Sequence, residues 1–136
     1  MLALQALYAL DVSHNPVKIT PEWPMEDEPV PERALTLADS LLQAVTEKRD
    51  DLDTIIHHYA PAWPVNQLSP VDRNILRIAL LELLHSEATP KKTAINEAVE
   101  LGKIFGSESS ARFVNGVLGS VMIGLKMGEL APDKTV

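Results

Sequence analysis

The sequence predicts an all-α fold. Apolar residues recur at three- and four-residue spacing along most of the chain, the rhythm that lines one face of a helix. No stretch shows the convincing period-two alternation of a half-buried strand. Prolines gather at 15–31 and 61–70, where they remove backbone donors and divide one helical segment from the next. A chain of 136 residues, 46% apolar and 4% aromatic, suits one domain with a core of Leu, Ile, Val and Ala.

Each element can be justified in turn. Leu4, Leu7, Tyr8 and Val12 give a first helical stripe. The stretch "NPVKITPEWPMEDEPVP", 15–31, holds five of the ten prolines and four acids, and reads as an extended acidic connector, with Trp23 and Met25 expected to pin it to the fold. A second helix carries Leu35, Ala38, Leu41, Leu42 and Val45, with Lys48 and Arg49 suiting its negative end. Asp50 or Asp51 is the expected cap of a third helix with Leu52, Ile55, Ile56 and Tyr59, stopped by Pro61 and Pro64.

"LSPVDRNILRIALLELLHS" opens with Ser69 as N-cap, Pro70 at N1 and Asp72 at N3. Its stripe of Val71, Ile75, Ile78, Ala79 and Leu83, widened by Leu76, Leu80 and Leu84, predicts a central helix packed on more than one side. "TPKKTAINEAVELGKIFG" repeats the start chemistry, with Thr89 as cap, Ile95, Ala98, Val99 and Gly102 inward, and Gly106 as a left-handed stop. "SESSARF" opens the last long helix, capped by Ser107 or Ser109, and 129–136 reads as a frayed tail. The expectation is six helices in two three-helix sub-bundles, about 1–63 and 67–128, packed into a single domain over 1–136.

"FVNGVLG", 113–119, contains a conflict. Asn-Gly between apolar residues signals a hairpin turn, yet Phe113, Val114, Val117, Leu118, Val121 and Met122 keep a helical rhythm. Helix wins, at about 1 kcal/mol for each interior glycine. Gly116, Ser120, Gly124 and Gly128 are spaced four apart, so they predict a ridge of small residues for close packing. Asn115 is then expected to hydrogen-bond within the fold.

Charge narrows the function classes. The net charge is −7, and residues 1–68 carry all of it, with 4 basic and 11 acidic side chains; 69–136 hold 8 of each. A salt-driven nucleic-acid binder normally has a basic surface, so any such contact here needs a local patch or a partner. No cysteine is present, which removes disulfides, thiolate metal sites and Cys nucleophiles and fits a reducing cytoplasm. No apolar run spans a bilayer. His57 and His58 are adjacent and point apart on a helix, no metal-ligand spacing occurs, and neither phosphate-binding glycine motif is present. Glu97, Glu100 and Lys103 read as a surface ion-pair row. Neither a catalytic residue, a metal nor a cofactor is expected.

The blocks "QALYALDVS", "VDRNILRIALLELL", "KKTAINEAVELGKIFG" and "ARFVNGVLG" together resemble the bacterial NusB antitermination factors in order, spacing and length, over about 2–122. The resemblance implies a non-enzymatic, cytoplasmic, all-helical adaptor. It pairs with NusE, a small-subunit ribosomal protein, and binds the single-stranded boxA element of ribosomal RNA leaders within the RNA polymerase antitermination complex. The same fold occurs fused to some rRNA cytosine methyltransferases, for which this chain has no room. Family members begin with an arginine-rich stretch before the "QALY" block. Here Met1 is followed at once by Leu2-Ala3-Leu4, so a start cut from a longer chain is expected.

Carried onto this sequence, the resemblance assigns RNA contact to Ser109, Ser110, Arg112 and Phe113 at the last helix start, where hydroxyls, helix N–H groups, a cation and a π face meet the needs of single-stranded RNA. Tyr59, Arg73, Lys91 and Lys92 join that set. A core role for Tyr59 and Phe113 and a solvated role for Arg112 read equally well from the residues, and for Lys91 and Lys92 a solvated pair is the better reading. Arg77, one turn beyond Arg73, is expected to pair with Glu82 or Glu97. The NusE face is assigned to Tyr8, Asp11, Val12 and Asp72, whose acids suit a basic protein. Two other readings stand beside this one: a protein-interaction module without RNA affinity, and a homodimer that buries the RNA face.

Overall fold

The computed structural model describes residues 2–13, 31–85 and 89–130. Helix α1 spans Leu2–Ser13, α2 Glu32–Tyr59, α3 Pro70–His85, α4 Lys91–Phe105 and α5 Glu108–Lys126, with a 3-10 turn at Val65–Gln67 before α3. The connector with Trp23 and Met25, and the tail from 131, lie outside the described residues.

Among the described residues five α-helices stand where six were expected, because 32–59 is one uninterrupted helix. Its buried stripe of Ala38, Leu42, Val45, Leu52 and Ile56 stays in phase across the supposed break. The chain between Lys48 and Asp53 contains neither Gly nor Pro, so nothing stops the helix. Asp50 and Asp51 sit exposed in its interior and cap nothing. Pro61 does end it, since the residue before a proline is pushed out of the helical region.

Helix α3 is the centre. Every side chain from Asn74 to Leu81 is buried, and α3 touches α1, α2, α4 and α5. Helices α1 and α2 also touch each other, as do α4 and α5, so α3 is shared by two three-helix groups. Ser69 caps it as expected, its Oγ accepting the Asp72 N–H at 3.1 Å. In α1 the core face is Ala3, Leu4, Ala6 and Leu7, while Tyr8 and Val12 are 42% and 54% exposed. The expected stripe is thus rotated toward the small residues. Helix α4 starts one residue later than expected. Pro90 occupies the N-cap position with no side-chain cap, which leaves Thr89 one residue too far back to serve.

The α4–α5 hairpin is closed by a capping box: Ser107 Oγ accepts the Ser110 N–H at 3.2 Å, and Ser110 Oγ accepts the Ser107 N–H at 3.0 Å. This box fills the space beside Gly106, where a Cβ would lie 2.5 Å from Ser110 Oγ. Gly106 is there for room; its φ of −107° is not left-handed. The left-handed stop belongs to Gly128, φ +77°, with the Glu129 N–H on Gly124 O at 3.0 Å and the Gly128 N–H on Leu125 O at 3.4 Å. That is the pair of bonds of a Schellman ending.

The "FVNGVLG" segment is helical, but its glycines do not form the expected ridge. Val114, Val117, Leu118 and Val121 face the core. Asn115, Gly116, Gly119 and Ser120 all lie on the exposed face, where a Cβ on either glycine meets nothing within 4 Å. Asn115 is solvated and its amide has no hydrogen bond among the described residues, so the expected internal bond is not made. Close packing occurs elsewhere. A Cβ on Gly102 would sit 3.2 Å from Ala111 Cα, and one on Gly124 would sit 2.8 Å from Tyr59 Cζ.

These environments separate the glycines by sign. Gly116→Ala and Gly119→Ala are expected to raise stability by about 0.5–1 kcal/mol each, through helix propensity alone. Gly124→Ala and Gly102→Ala are expected to lower it by about 1–3 kcal/mol through overpacking. Urea unfolding of the four variants reads both signs, and destabilisation by Gly116→Ala would restore the small-residue ridge.

Candidate functional site

Four charged helical side chains, Asp11, Asp53, Arg73 and Arg77, are drawn inward. Arg73 grips Asp11 bidentately, Nε to Oδ2 at 2.6 Å and Nη2 to Oδ1 at 2.5 Å. Its Nη1 reaches the Leu68 and Asn66 carbonyls at 3.2 and 3.3 Å. Arg77 grips Asp53 of α2 at 2.7 and 2.9 Å and reaches Asp11 at 3.4 Å. Asn74, fully buried, links the two arginines: its amide donates to Asp11 at 2.9 Å and its carbonyl accepts from Arg77 at 3.0 Å. Burial alone would raise the Asp11 pKa, but hydrogen bonds from Arg73 and Asn74 and both guanidinium charges hold it below its ordinary value.

This geometry corrects one expectation: Arg77 pairs with Asp53 and Asp11, not with Glu82 or Glu97. Asp11 is a hub between α1 and α3. Arg73 has its guanidinium engaged by Asp11 and by the loop before α3. Asn74 was missed, although a lone Asn flanked by apolar positions one helical turn away on each side, Val71 and Ile78, is a legible sign of a buried polar contact.

Of the other three partner-face residues, Tyr8 lines a cavity of about 320 Å³, together with Leu4, Gln5, Val71 and Phe105, where α1, the start of α3 and the end of α4 meet. Val12 lies one turn beyond Tyr8 on α1, and Asp72 adjoins Val71. Two acceptors here are buried with no hydrogen-bond partner among the described residues, Gln5 Oε1 and Asp72 Oδ1. Exposed Ile104 and Phe105 extend the apolar rim. Gln5 and Phe105 had gone unnoticed as site residues, because their partners on this face come from three separate helices.

The expected RNA set is divided between two ends of the α4–α5 hairpin. Ser109 and Arg112 are exposed at the α5 start, and Phe113 is half-buried against the core. Ser110 is 6% exposed and closes the capping box, so its hydroxyl builds the helix start and does not face outward. At the far end Lys91 and Lys92 are exposed on the first turn of α4. Tyr59 packs its ring over Gly124 near that end, with His58 edge-on at a centroid distance of 4.7 Å. The α5 axis between the ends is about 28 Å long at 1.5 Å per residue.

Chemistry outside these faces is sparse. Glu100 and Lys103 pair at 3.7 Å on the surface. No metal-holding group of His, Cys, Asp or Glu occurs among the described residues. No described helix is long and apolar enough to cross a membrane.

A family model described as the NusB family matches residues 1–122. The transcription antitermination protein NusB of Dehalococcoides mccartyi (strain CBDB1) is 46% identical over 120 residues, covering 88% of this chain and 84% of that relative. Among solved structures, T. maritima NusB aligns with a TM-score of 0.78 at 29% identity, over 97% of this chain and 89% of its own. A crystal structure of antitermination factors NusB and NusE in complex with dsRNA aligns with a TM-score of 0.77 at 26% identity, over 90% of this chain and 92% of that one.

The inward network has a measurable signature. Asp11→Asn or Arg73→Ala leaves a buried charge without its partner and is expected to cost about 3 kcal/mol at neutral pH. Because the folded pKa of Asp11 lies below the ordinary 3.8, its stabilisation is present above that value and lost as pH falls through the lowered one. The Asp11→Asn penalty should therefore fade in acid. Urea unfolding at neutral and acidic pH checks both points, and a neutral-pH loss under about 0.5 kcal/mol, the size of an ordinary surface change, would demote the network to surface chemistry.

Proposed function

The chain belongs to the NusB family, and from that membership we propose that it is a non-catalytic adaptor of transcription antitermination. It pairs with NusE and holds boxA-type single-stranded RNA of ribosomal RNA leaders, in the cytoplasm, within the RNA polymerase antitermination complex. The observation that carries this reading is the match over nearly the whole length to a fold seen in complex with NusE and RNA.

The surfaces supply chemistry suited to both tasks. On the NusE side, Tyr8 and Val12 offer exposed apolar area beside two buried acceptors that lack donors, Gln5 Oε1 and Asp72 Oδ1. An orphaned buried acceptor costs about 1–3 kcal/mol, which a donor from a docked protein recovers. On the RNA side, the Ser107 cap takes the Ser110 N–H, which leaves the Glu108 and Ser109 N–H groups of the first turn without an acceptor within the helix and able to draw phosphate to the α5 start. Arg112 adds the cation there and Phe113 an aromatic edge for a base. Glu108, exposed in the same turn, opposes an anion, so Arg112 bears much of the attraction. Lys91, Lys92 and Tyr59 form a second, distal contact for a strand that runs the length of the hairpin. Ser110 and Arg73 position these elements.

A second reading is favoured by the net charge of −7: a protein-binding module that leaves RNA contact to NusE. The two readings separate by titration of boxA RNA with and without NusE at several salt concentrations. The adaptor reading expects tighter RNA binding with NusE present. It expects Arg112→Ala to weaken RNA binding severalfold, with a log–log salt slope smaller by about 0.7, the share of one single-strand phosphate. It expects Tyr8→Ala to weaken NusE binding by about 1–2 kcal/mol without loss of stability. An Arg112→Ala variant with unchanged affinity and salt slope would leave the RNA to NusE. Sedimentation at several concentrations tests self-association.

A further inference from the structure

Helices α3 and α4 run antiparallel, and the Tyr8 cavity is only the first stretch of the groove between them. One to two turns further along, Ile75, Ile78, Ala98 and Leu101 wall a second cavity of about 340 Å³, with Glu82 and Glu97 at its edge. Val71 and Phe105 of the first cavity precede Ile75 and follow Leu101 by one helical turn, so the two cavities are consecutive. The lining of the second is drawn from α3 and α4 alone.

The charge of this stretch is unbalanced. Glu100, also in the lining, is taken up by Lys103 at 3.7 Å. Glu82 and Glu97 have no ion pair or hydrogen bond among the described residues. Burial, helped by the Glu97 charge, pushes the Glu82 carboxyl up to about 7. On α3 itself the nearest titratable neighbour is His85, one turn on. A half-buried carboxylate beside a second one in apolar walls repels phosphate and a second copy of this acidic chain, and favours a cation with an aliphatic stem.

Resting on the adaptor reading above, we propose that the NusE partner extends along the α3–α4 groove and places a lysine or arginine side chain between Glu82 and Glu97. The stem lies along Ile78 and Leu101, and the cation supplies the counter-charge that Glu82 and Glu97 lack among the described residues. The contact is pH-dependent: protonation of Glu82 removes half of the acidic pair, so affinity falls as pH drops through neutrality.

The test is calorimetric titration of the intact chain with purified NusE across the neutral range, for wild type, Glu82→Gln, Glu97→Gln and Glu47→Gln. Glu47 lies exposed on α2, so its variant makes the same charge change away from the groove. Glu82→Gln is expected to bind roughly tenfold more weakly at about pH 8 and to lose the pH dependence, whereas Glu47→Gln matches wild type. Folding is checked independently. A folded-state pKa of about 7, above the ordinary 4.5, means the native chain takes up a proton between those values and loses stability as pH rises through them. Free Glu82→Gln should therefore melt higher than wild type above that window and equally below it. NusE binding by Glu82→Gln with wild-type affinity and pH profile overturns the groove contact while the adaptor reading stands. Failure of wild type to bind NusE at any pH overturns both.

Discussion

Two aspartates, two arginines and an asparagine meet where α1, α2 and α3 converge, and that cluster dictates how the first half of the fold is assembled. Its charges cancel, and its hydrogen bonds between helices join residues 24 to 66 positions apart in sequence. A buried ion pair adds little net stability over an apolar replacement, but breaking it by removing one partner is expensive. What it fixes is rotation and register. With Asp11 held by Arg73, α1 can present only one face to solvent, and that face carries Tyr8 and Val12. With Arg77 held by Asp53, α2 cannot slide along α3 without separating the pair.

The second half is assembled by a different constraint, the closeness of two backbones. Gly102 brings α4 against the Ala111 backbone of α5, and the Ser107–Ser110 box closes the corner between them. This places the exposed start of α5 at the same end of the hairpin as Ile104 and Phe105, while Tyr59 over Gly124 anchors α2 at the other end. Helix α3 connects the two assemblies. One of its edges carries Arg73, Asn74 and Arg77 into the polar cluster, and another carries Val71, Ile75, Ile78 and Glu82 along the groove with α4. A single helix thus sets both the internal register and the proposed docking line.

Much of this was legible in the sequence, for definable reasons. Helical period and the Ser69 and Ser107 caps are local signals, written within a few residues, and they located α3 and α5 closely. The break expected at Asp50 came from weighing cap-like acids above an apolar phase that continued unbroken from Val45 to Leu52. The small-residue ridge failed because spacing by four fixes which residues share a face but not which way the face points; Val114, Val117 and Leu118 turn it outward at Gly116. The roles of Asp11 and Arg73 were illegible for a stronger reason. Each looks like a surface charge on its own amphipathic helix, and only the tertiary fold, 62 residues across, shows that they bind one another.

Satisfied and unsatisfied polar groups fall on different sides of the fold, and the unsatisfied ones lie along the proposed docking surface. Asp11, Asp53, Arg73, Asn74 and Arg77 satisfy one another and are structural. Among the described residues, Gln5 Oε1 and Asp72 Oδ1 are buried without donors, and Glu82 is half-buried without a cation; all three belong to the line formed by α1, α3 and α4. Unmet acceptors are a liability of the isolated chain, because each has lost water without gaining a bond. A partner that supplies the donors gains that free energy on docking, in addition to whatever apolar area it covers. Affinity for the partner is therefore partly stored in the free protein as reduced stability, and docking returns it by linkage. An adaptor built this way is selective for a donor-rich, cationic surface, since an apolar protein would cover the same grooves and leave every acceptor unpaired.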